Sequence, residues 1–333
     1  MPKDSAKRRR SAFRLSLVVP MYNESEVCGI FFDRVIPILE GVTPDFEIIC
    51  VNDGSRDDTL ELVRGFHSRE PRIKIVDLTR NFGKEVALTA GIEHAAGDAI
   101  IPIDADLQDP PELIPRLVER WREGFDTVIA VRSERRSDSF VKRASANMFY
   151  RVIGSLSHVP IPANAGDFRL LDRTVVEALK LLPERSRFMK GLYAWVGFRQ
   201  AMVEYARPER AAGTTKWNIW RLWNFALDGI FSFSTLPIRV WSYMGLLVAA
   251  LAVLYGCFIL VRTLVYGIDV PGYASLMVAL LLLSGMNMIG IGILGEYVGR
   301  IFMEVKRRPV YLVNSTLGIE SPPAGADGNA GRE

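Results

Sequence analysis

Short, nearly uninterrupted apolar runs alternate with segments of helical periodicity through the first two thirds of the chain. The runs lie at residues 15–19, 46–51, 73–78, 99–103 and 127–131. Each is brief and rich in β-branched residues, the pattern of a strand covered on both faces. Between them, residues 24–39, 57–67, 84–95 and 111–122 have helix-like spacing, and Pro111 and Pro115 fall in or near the first turn of the last segment, where proline is tolerated. This alternation predicts an α/β fold, a mostly parallel sheet with helices on its faces. After a mixed segment at 138–182, further strands are expected near 168–171 and 198–205.

The last third reads differently. Residues 240–261 carry no charge, and after Arg262 and Asp269 a second uncharged stretch spans 270–295. About 20 apolar residues suffice to cross a ~30 Å hydrocarbon core, so the two stretches predict a transmembrane hairpin. Arg239 precedes it and Lys306, Arg307 and Arg308 follow it, which places both flanks, and the α/β domain with them, on the cytoplasmic side. Ahead of the hairpin, residues 213–238 interleave Trp217, Trp220, Trp223 and Phe231 with Lys216, Arg221 and Asp228. That is the make-up of a helix lying in the membrane interface, with an ordinary core helix as the alternative. The chain thus divides into a basic N-terminal tail (1–13), a catalytic α/β domain (14–212), juxtamembrane amphipathic helices (213–238), two membrane helices (239–300, at about 240–261 and 270–295) and a C-terminal tail (301–333).

Composition narrows the function classes. With 333 residues, 41 Lys and Arg against 38 Asp and Glu leave a net charge of +3, too small for a nucleic-acid footprint. Cys28, Cys50 and Cys257 are too scattered for a zinc cage or a disulfide framework, which fits a reducing compartment. The first 13 residues are basic without an apolar core, so they do not read as a secretory signal. His67, His94 and His158 lack metal-ligand spacing.

Chemistry gathers at the junctions between strands and helices, where open α/β sheets bind ligands. The first strand ends in Pro20-Met21-Tyr22-Asn23-Glu24 and the second in Asn52-Asp53-Gly54-Ser55. Together they offer a ring, an amide and carboxylates suited to a nucleobase and a ribose. Ser55, Asp57 and Asp58 read better as caps of the following helix. The fourth strand runs into Asp104-Ala105-Asp106-Leu107-Gln108; two carboxylates at that place suit Mg²⁺ or Mn²⁺ bridging phosphates. Alone, such a pair is commonly a turn or a cap; its position at the end of a central strand favours the metal. In Arg80-Asn81-Phe82-Gly83-Lys84 the glycine permits close backbone approach and the lysine adds charge at a helix N-terminus, either for an anion or simply for solvent.

These motifs resemble those of family 2 glycosyltransferases of the GT-A fold, and among them the polyprenyl-phosphate group that includes dolichol-phosphate mannose synthase and bacterial glucosyl carriers. The matching stretches are VVPMYNE (18–24), VNDGSRDDT (51–59), LTRNFGKEVAL (78–88), DADLQDPPE (104–112) and GDFRLLDR (166–173). With the hairpin, the resemblance covers about 15–310. It implies that Pro20, Tyr22, Asn23, Glu24, Asp53, Asn81, Gly83, Lys84 and Asp104 bind the nucleotide sugar. It further implies that Asp104, Asp106 and Gln108 hold Mg²⁺ or Mn²⁺ at the diphosphate, and that Asp106 and Asp167 are catalytic, Asp167 near the acceptor. Arg132, its rival Arg135, Lys142, Arg143 and Arg169 would bind the acceptor phosphate.

The implied activity is inverting transfer of a hexose, glucose from UDP-glucose first, onto undecaprenyl phosphate at the cytoplasmic face of a bacterial inner membrane. Mannose from GDP-mannose, a modified arabinose and N-acetylhexosamines stay open as the sugar. The resemblance also implies membrane lipids as partners, no nucleic acid, and a homo-oligomer, a tetramer. A processive polysaccharide synthase is the rival enzyme class, but its Gln-x-x-Arg-Trp motif is missing from these 333 residues. A membrane-anchored nucleotide-binding module is the non-enzymatic alternative. Gly285, Gly290, Gly292, Gly295 and Gly299 are expected to allow close helix packing in the membrane, and Glu296 to pair with a basic neighbour or merely to lie at the interface.

Overall fold

A computed structural model describes residues 12–132, 165–182, 184, 189–205, 236–267 and 272–319. Residues 213–235 of the expected juxtamembrane segment and the basic positions Arg135, Lys142 and Arg143 lie outside these residues. The chain separates into two compact units, the first built around the sheet and including the residues after 308, the second holding the two long apolar helices.

In the first unit, β1 (Leu15–Met21), β2 (Phe46–Asn52), β3 (Ile73–Leu78) and β4 (Ala99–Pro102) alternate with α1 (Cys28–Val42), α2 (Thr59–Arg69) and α3 (Lys84–His94). A 3₁₀ turn at Pro111–Leu113 leads into α4 (Ile114–Arg122). There follow β5 (Thr127–Arg132), β6 (Ala165–Asp172), α5 (Arg173–Lys180), α6 (Met189–Trp195) and β7 (Gln200–Tyr205). The sheet has eight strands in the order β7-β5-β6-β4-β1-β2-β3-β8, with β8 at Val313–Leu317. Strands β4, β1, β2 and β3 are mutually parallel; β6 enters antiparallel to both β4 and β5. The uninterrupted apolar runs have the expected cause: Leu15, Leu17, Val18, Val19, Ile48, Ile49 and Val51 are fully buried, because helices cover both faces.

Helix starts differ from the periodicity in one instructive place. Residues 24–27 form a turn and α1 begins only at Cys28, because Asn23 adopts a left-handed φ of 55° and the backbone N–H of Glu24 is taken by the Thr59 hydroxyl at 2.9 Å. Val313–Leu317, expected to be part of a tail, is an eighth strand, β8, paired antiparallel to β3. Its side-chain anchors are Asn314, donating to Asp77 at 2.8 Å, and Tyr311, donating to Glu93 at 2.6 Å.

One buried polar network crosses the sheet. The Glu47 carboxylate, 2% exposed, accepts hydrogen bonds from Ser16 Oγ, Lys74 Nζ and the Ala96 amide at 2.5, 2.7 and 2.7 Å. Burial pushes its pKa up, but the Lys74 ammonium and the other hydrogen bonds prevail and hold it below 4.5.

In the second unit, α7 (Leu236–Tyr266) and α8 (Tyr273–Val305) contain stretches, Val240–Tyr266 and Ser275–Val305, long and apolar enough to cross a membrane. Both outrun the sequence expectation, the second by a turn or more at its end, where Arg300 donates to Glu296 within the helix at 2.8 Å. Among the five glycines expected to admit close packing, Gly290 does so: a Cβ there would collide with the Trp241 indole, whereas Gly285, Gly292, Gly295 and Gly299 face open space.

Glu47→Ala strips the charge partner from a largely buried lysine and should cost ~3–5 kcal/mol, read from thermal unfolding. Because the folded carboxyl sits below its unfolded value, its contribution is present above pH 4.5 and lost as pH falls through the folded value. The difference between wild type and variant should therefore shrink on acidification.

Candidate active site

The carboxyl ends of β1, β2 and β4 lie side by side, and the sheet order places the reversal of winding between β1 and β4, the position at which open α/β sheets hold ligands. Loops leaving β1 and β2 are clamped together there. Asn23 donates its N–H to Ser55 Oγ at 3.1 Å and accepts from the Arg56 amide at 2.8 Å. Asp57 accepts from the Thr59 amide and hydroxyl and from the Ser25 amide, which is the helix-start role expected of it. Tyr22 stands 41% exposed at the rim, Pro20 is half-buried on β1 and Glu24 follows the clamp.

Asp53 has a part beyond the one the resemblance implied. It is 3% exposed, and its two carboxylate oxygens accept from the Phe82 amide at 2.7 Å and the Gly83 amide at 2.9 Å. It ties down the loop of residues 80–83, a structural part beside the binding part the resemblance implies. Burial raises its pKa, partly offset by those two amides. Gly54, at φ +63°, lets this loop come close, since a Cβ there would stand 2.5 Å from Arg80 C and 2.6 Å from Asn81 N. Gly83, at φ +100°, then turns the chain into α3. Asn81 is exposed on the loop.

This construction delivers Lys84. Its ammonium lies 2.7 Å from Asp104 Oδ2 and 3.0 Å from Asp167 Oδ2, bridging the two. Sheet register explains why residues so distant in sequence meet. Ala99 pairs with Asp172 across β4 and β6, and continuing that antiparallel register toward the carboxyl end of β4 brings Asp104 opposite Asp167. Burial raises the Asp104 carboxyl, against the pull of Lys84, with Asp167 and Asp109 adding to the rise. For Asp167 burial acts upward too, yet Lys84 and Lys190 outweigh it and hold the carboxyl low. Its second oxygen, Oδ1, is buried without a hydrogen-bond partner.

The second acid of the pair, Asp106, is half-buried and accepts from the Gln108 amide at 3.1 Å. Between them Leu107 takes a left-handed φ of 55°, an uncommon conformation for a branched side chain. Gln108 is 4% exposed, and the neighbouring Asp109 accepts from the Tyr205 hydroxyl at 2.5 Å. Among the described residues no three His, Cys, Asp or Glu side chains converge as a ready-made metal cage. The hard oxygens of Asp104 and Asp106 nevertheless fit Mg²⁺ or Mn²⁺, and an ammonium held between Asp104 and Asp167 shows that these carboxylates draw positive charge.

Arg169, expected to bind an acceptor phosphate, is 3% exposed, with its guanidinium 4.2 Å from the centre of the Tyr193 ring and donating to the Gly166 carbonyl at 2.6 Å. Its charge acts on Asp167, and burial lowers its pKa. Arg132 ends β5; its side chain, like Arg135, Lys142 and Arg143, falls outside the described residues.

Sequence reasoning passed over Glu85. Next to Lys84 in the first turn of α3, it reads as an ordinary complement to the helix dipole. In the structure it is half-buried, accepts from the Met189 amide at 3.1 Å, and is pushed up to about 7 by burial and by Asp167. Only the fold, by setting α6 against α3, could reveal it.

Strand ends carrying an Asp-x-Asp pair at the switch point of an open α/β sheet accord with a nucleotide-sugar transferase, and the chain belongs to glycosyl transferase family 2, whose model matches residues 16–180. Residues 236–301 match the GtrB C-terminal hairpin. The chain is 55% identical to the uncharacterized glycosyltransferase sll0501 of Synechocystis over 93% of its own length and 97% of that protein. It is 50% identical to the SfII prophage-derived bactoprenol glucosyl transferase of Shigella flexneri, over 91% and 98% respectively. Among solved structures it is similar to the mannosyltransferase PcManGT from Pyrobaculum calidifontis, with 18% identity, a TM-score of 0.46, and 90% and 89% of the two chains covered.

Two outcomes follow for this site. Gly54→Ala should displace the loop of residues 80–83 and lower transfer by about 100-fold, since misplacement near 1 Å carries that cost; steady-state kinetics would measure it. Glu85 is raised from 4.5 to about 7 on folding, so the stability it contributes is intact below pH 4.5 and lost as pH rises through 7. Glu85→Gln should therefore raise the thermal midpoint of metal-free protein at pH 8 and leave it unchanged at pH 4.

Proposed function

We propose that this protein transfers glucose from UDP-glucose onto undecaprenyl phosphate at the cytoplasmic face of a bacterial inner membrane, giving a β-linked lipid-phosphate sugar. The observation that carries the reading is the convergence of Asp104 and Asp167 on one ammonium. It brings Asp104 of the Asp-x-Asp pair close to the carboxylate expected near the acceptor, which supports the reading. The glucosyl and bactoprenol assignments draw on the relatives so named at half identity, and the membrane assignment on two helices of sufficient length and apolarity.

A phosphate monoester has a second pKa of ~6, so at neutral pH the lipid phosphate is largely a dianion and already a nucleophile. The protein's burden is to hold two anions together and to neutralise the departing diphosphate. Asp104 and Asp106, with Gln108 adjoining, would hold a divalent cation, which supplies that neutralisation when bound. Tyr22, Pro20, Asn23 and Glu24 frame the rim where base and ribose lie. Asp53 acts through the loop of residues 80–83 that it anchors. Asp167 orients the acceptor or the sugar in preference to taking a proton. Arg132, Arg135, Lys142 and Arg143 grip the lipid phosphate, for which a guanidinium is suited by its two-pronged geometry. One in-line displacement inverts the anomeric centre.

The test is a panel of nucleotide sugars given to the purified full chain with undecaprenyl phosphate and Mg²⁺ or Mn²⁺, read by mass spectrometry of the lipid. Glucose should be the sugar transferred; preference for another sugar refutes the assignment. Asp106→Asn should lose about 100-fold or more, while Asp167→Asn should lose less than the ~10²–10⁴-fold that a general base contributes. The opposite ranking would make Asp167 the base.

A further inference from the structure

Lys84 has two properties that a permanent structural bridge does not need together. Its ammonium is bonded to Asp104 Oδ2, on one of the two carboxylates proposed to hold a divalent cation, and its side chain is 44% exposed. The stem starts from a fixed point: the amides of Phe82 and Gly83, immediately before Lys84, are pinned by buried Asp53, so the start of α3 stays in place while the four-carbon chain can swing. The partners differ as well. Asp104 is 34% exposed and Asp167 13%, so the outer bond is the one a competing cation can reach.

We propose that Lys84 is a tethered counter-charge that occupies the cation's share of Asp104 while the sugar nucleotide is absent. When the metal and nucleotide arrive, the ammonium gives up Asp104, keeps Asp167, and turns its free N–H bonds to the diphosphate. A +1 ammonium cannot stay on the same carboxylate oxygen as a +2 ion without a close like-charge contact, whereas the incoming diphosphate offers it new acceptors. Exchange of one positive charge for another keeps Asp104 and Asp167 from facing each other bare. This inference rests on the sugar-nucleotide reading above and adds to it a role for Lys84 of opposite sign in the two states.

The experiment measures Mn²⁺ binding to the purified, detergent-solubilised full chain by the electron paramagnetic resonance of free Mn²⁺, without nucleotide, and then UDP binding at saturating Mn²⁺ by calorimetry. Lys84→Met should bind Mn²⁺ alone about tenfold tighter than wild type, the scale of one lost charge-assisted hydrogen bond, and should bind UDP with Mn²⁺ about tenfold weaker. Lys84→Arg, which keeps the charge, should stay near wild type in Mn²⁺ binding and shows that the site survives substitution. Lys190→Met removes a charge that acts on Asp167 through space without bonding Asp104, and should change Mn²⁺ affinity by less than about twofold. Unchanged or weaker Mn²⁺ binding in Lys84→Met overturns the exchange, as does equal tightening in Lys190→Met, which would signify general repulsion, or unchanged UDP affinity. If wild type and all variants fail to bind Mn²⁺ even with UDP, the sugar-nucleotide reading falls and this inference with it. That outcome is distinct from a wild type that binds and a Lys84→Met that binds no better.

Discussion

Like charges crowded at the ends of parallel strands set the terms for the rest of this structure. Asp104 and Asp167 face each other where β4 and β6 open, and Glu85 stands close enough for Asp167 to raise its pKa. In a partly dry crevice such a group of acids is unfavourable unless positive charge is brought to it. One ammonium, that of Lys84, meets two of the three. The apparatus that delivers it is almost entirely backbone: a glycine that allows two loops to touch, a buried aspartate that holds two amides, and a second glycine that turns the chain into α3. Each part is intelligible as a means of fixing one lysine against two carboxylates.

The topology makes the meeting of Asp104 and Asp167 possible. A purely parallel sheet would place only the ends of successive βα units at this edge, and those ends come from the first hundred or so residues. Entry of β6 antiparallel to β4 turns the start of a late strand toward the same edge, so a residue more than sixty positions downstream in the chain joins the site. Burial of Arg169, with its charge against the Tyr193 ring and acting on Asp167, then supports this foreign strand. What looks from the sequence like a basic residue awaiting a phosphate also has a structural part.

Local pattern and long-range pairing were not equally readable from the residues. The strands β1 to β5 are apparent because burial on both faces leaves no polar alternation, and the Asp-x-Asp pair is conspicuous because it interrupts such a run. β8 was hidden: VNSTL is short and largely polar, and it pairs with a strand more than 230 residues earlier, a contact no periodicity records. The anchoring part of Asp53 was hidden, since a carboxylate at a strand end looks the same whether it faces a ligand or two backbone amides of its own chain. Glu85 went unnoticed because its high pKa comes from burial in the folded chain and from Asp167, neither legible from its neighbours in sequence. These failures share one cause: the environment of a charge is made by elements distant along the chain.

The same electrostatics bears on how an anionic lipid headgroup is admitted to the site. Among the described residues one ammonium is shared between two aspartates with Glu85 nearby, and Lys190 acts on Asp167 through space. A positive charge added beside Asp104 changes that balance, and it does so where the diphosphate will depart. Charge that assists departure and charge that admits the acceptor are then the same charge. A charge shared in this way ties favourable approach of the acceptor to the presence of the group that is to be transferred, beside whatever grip the proposed basic residues provide.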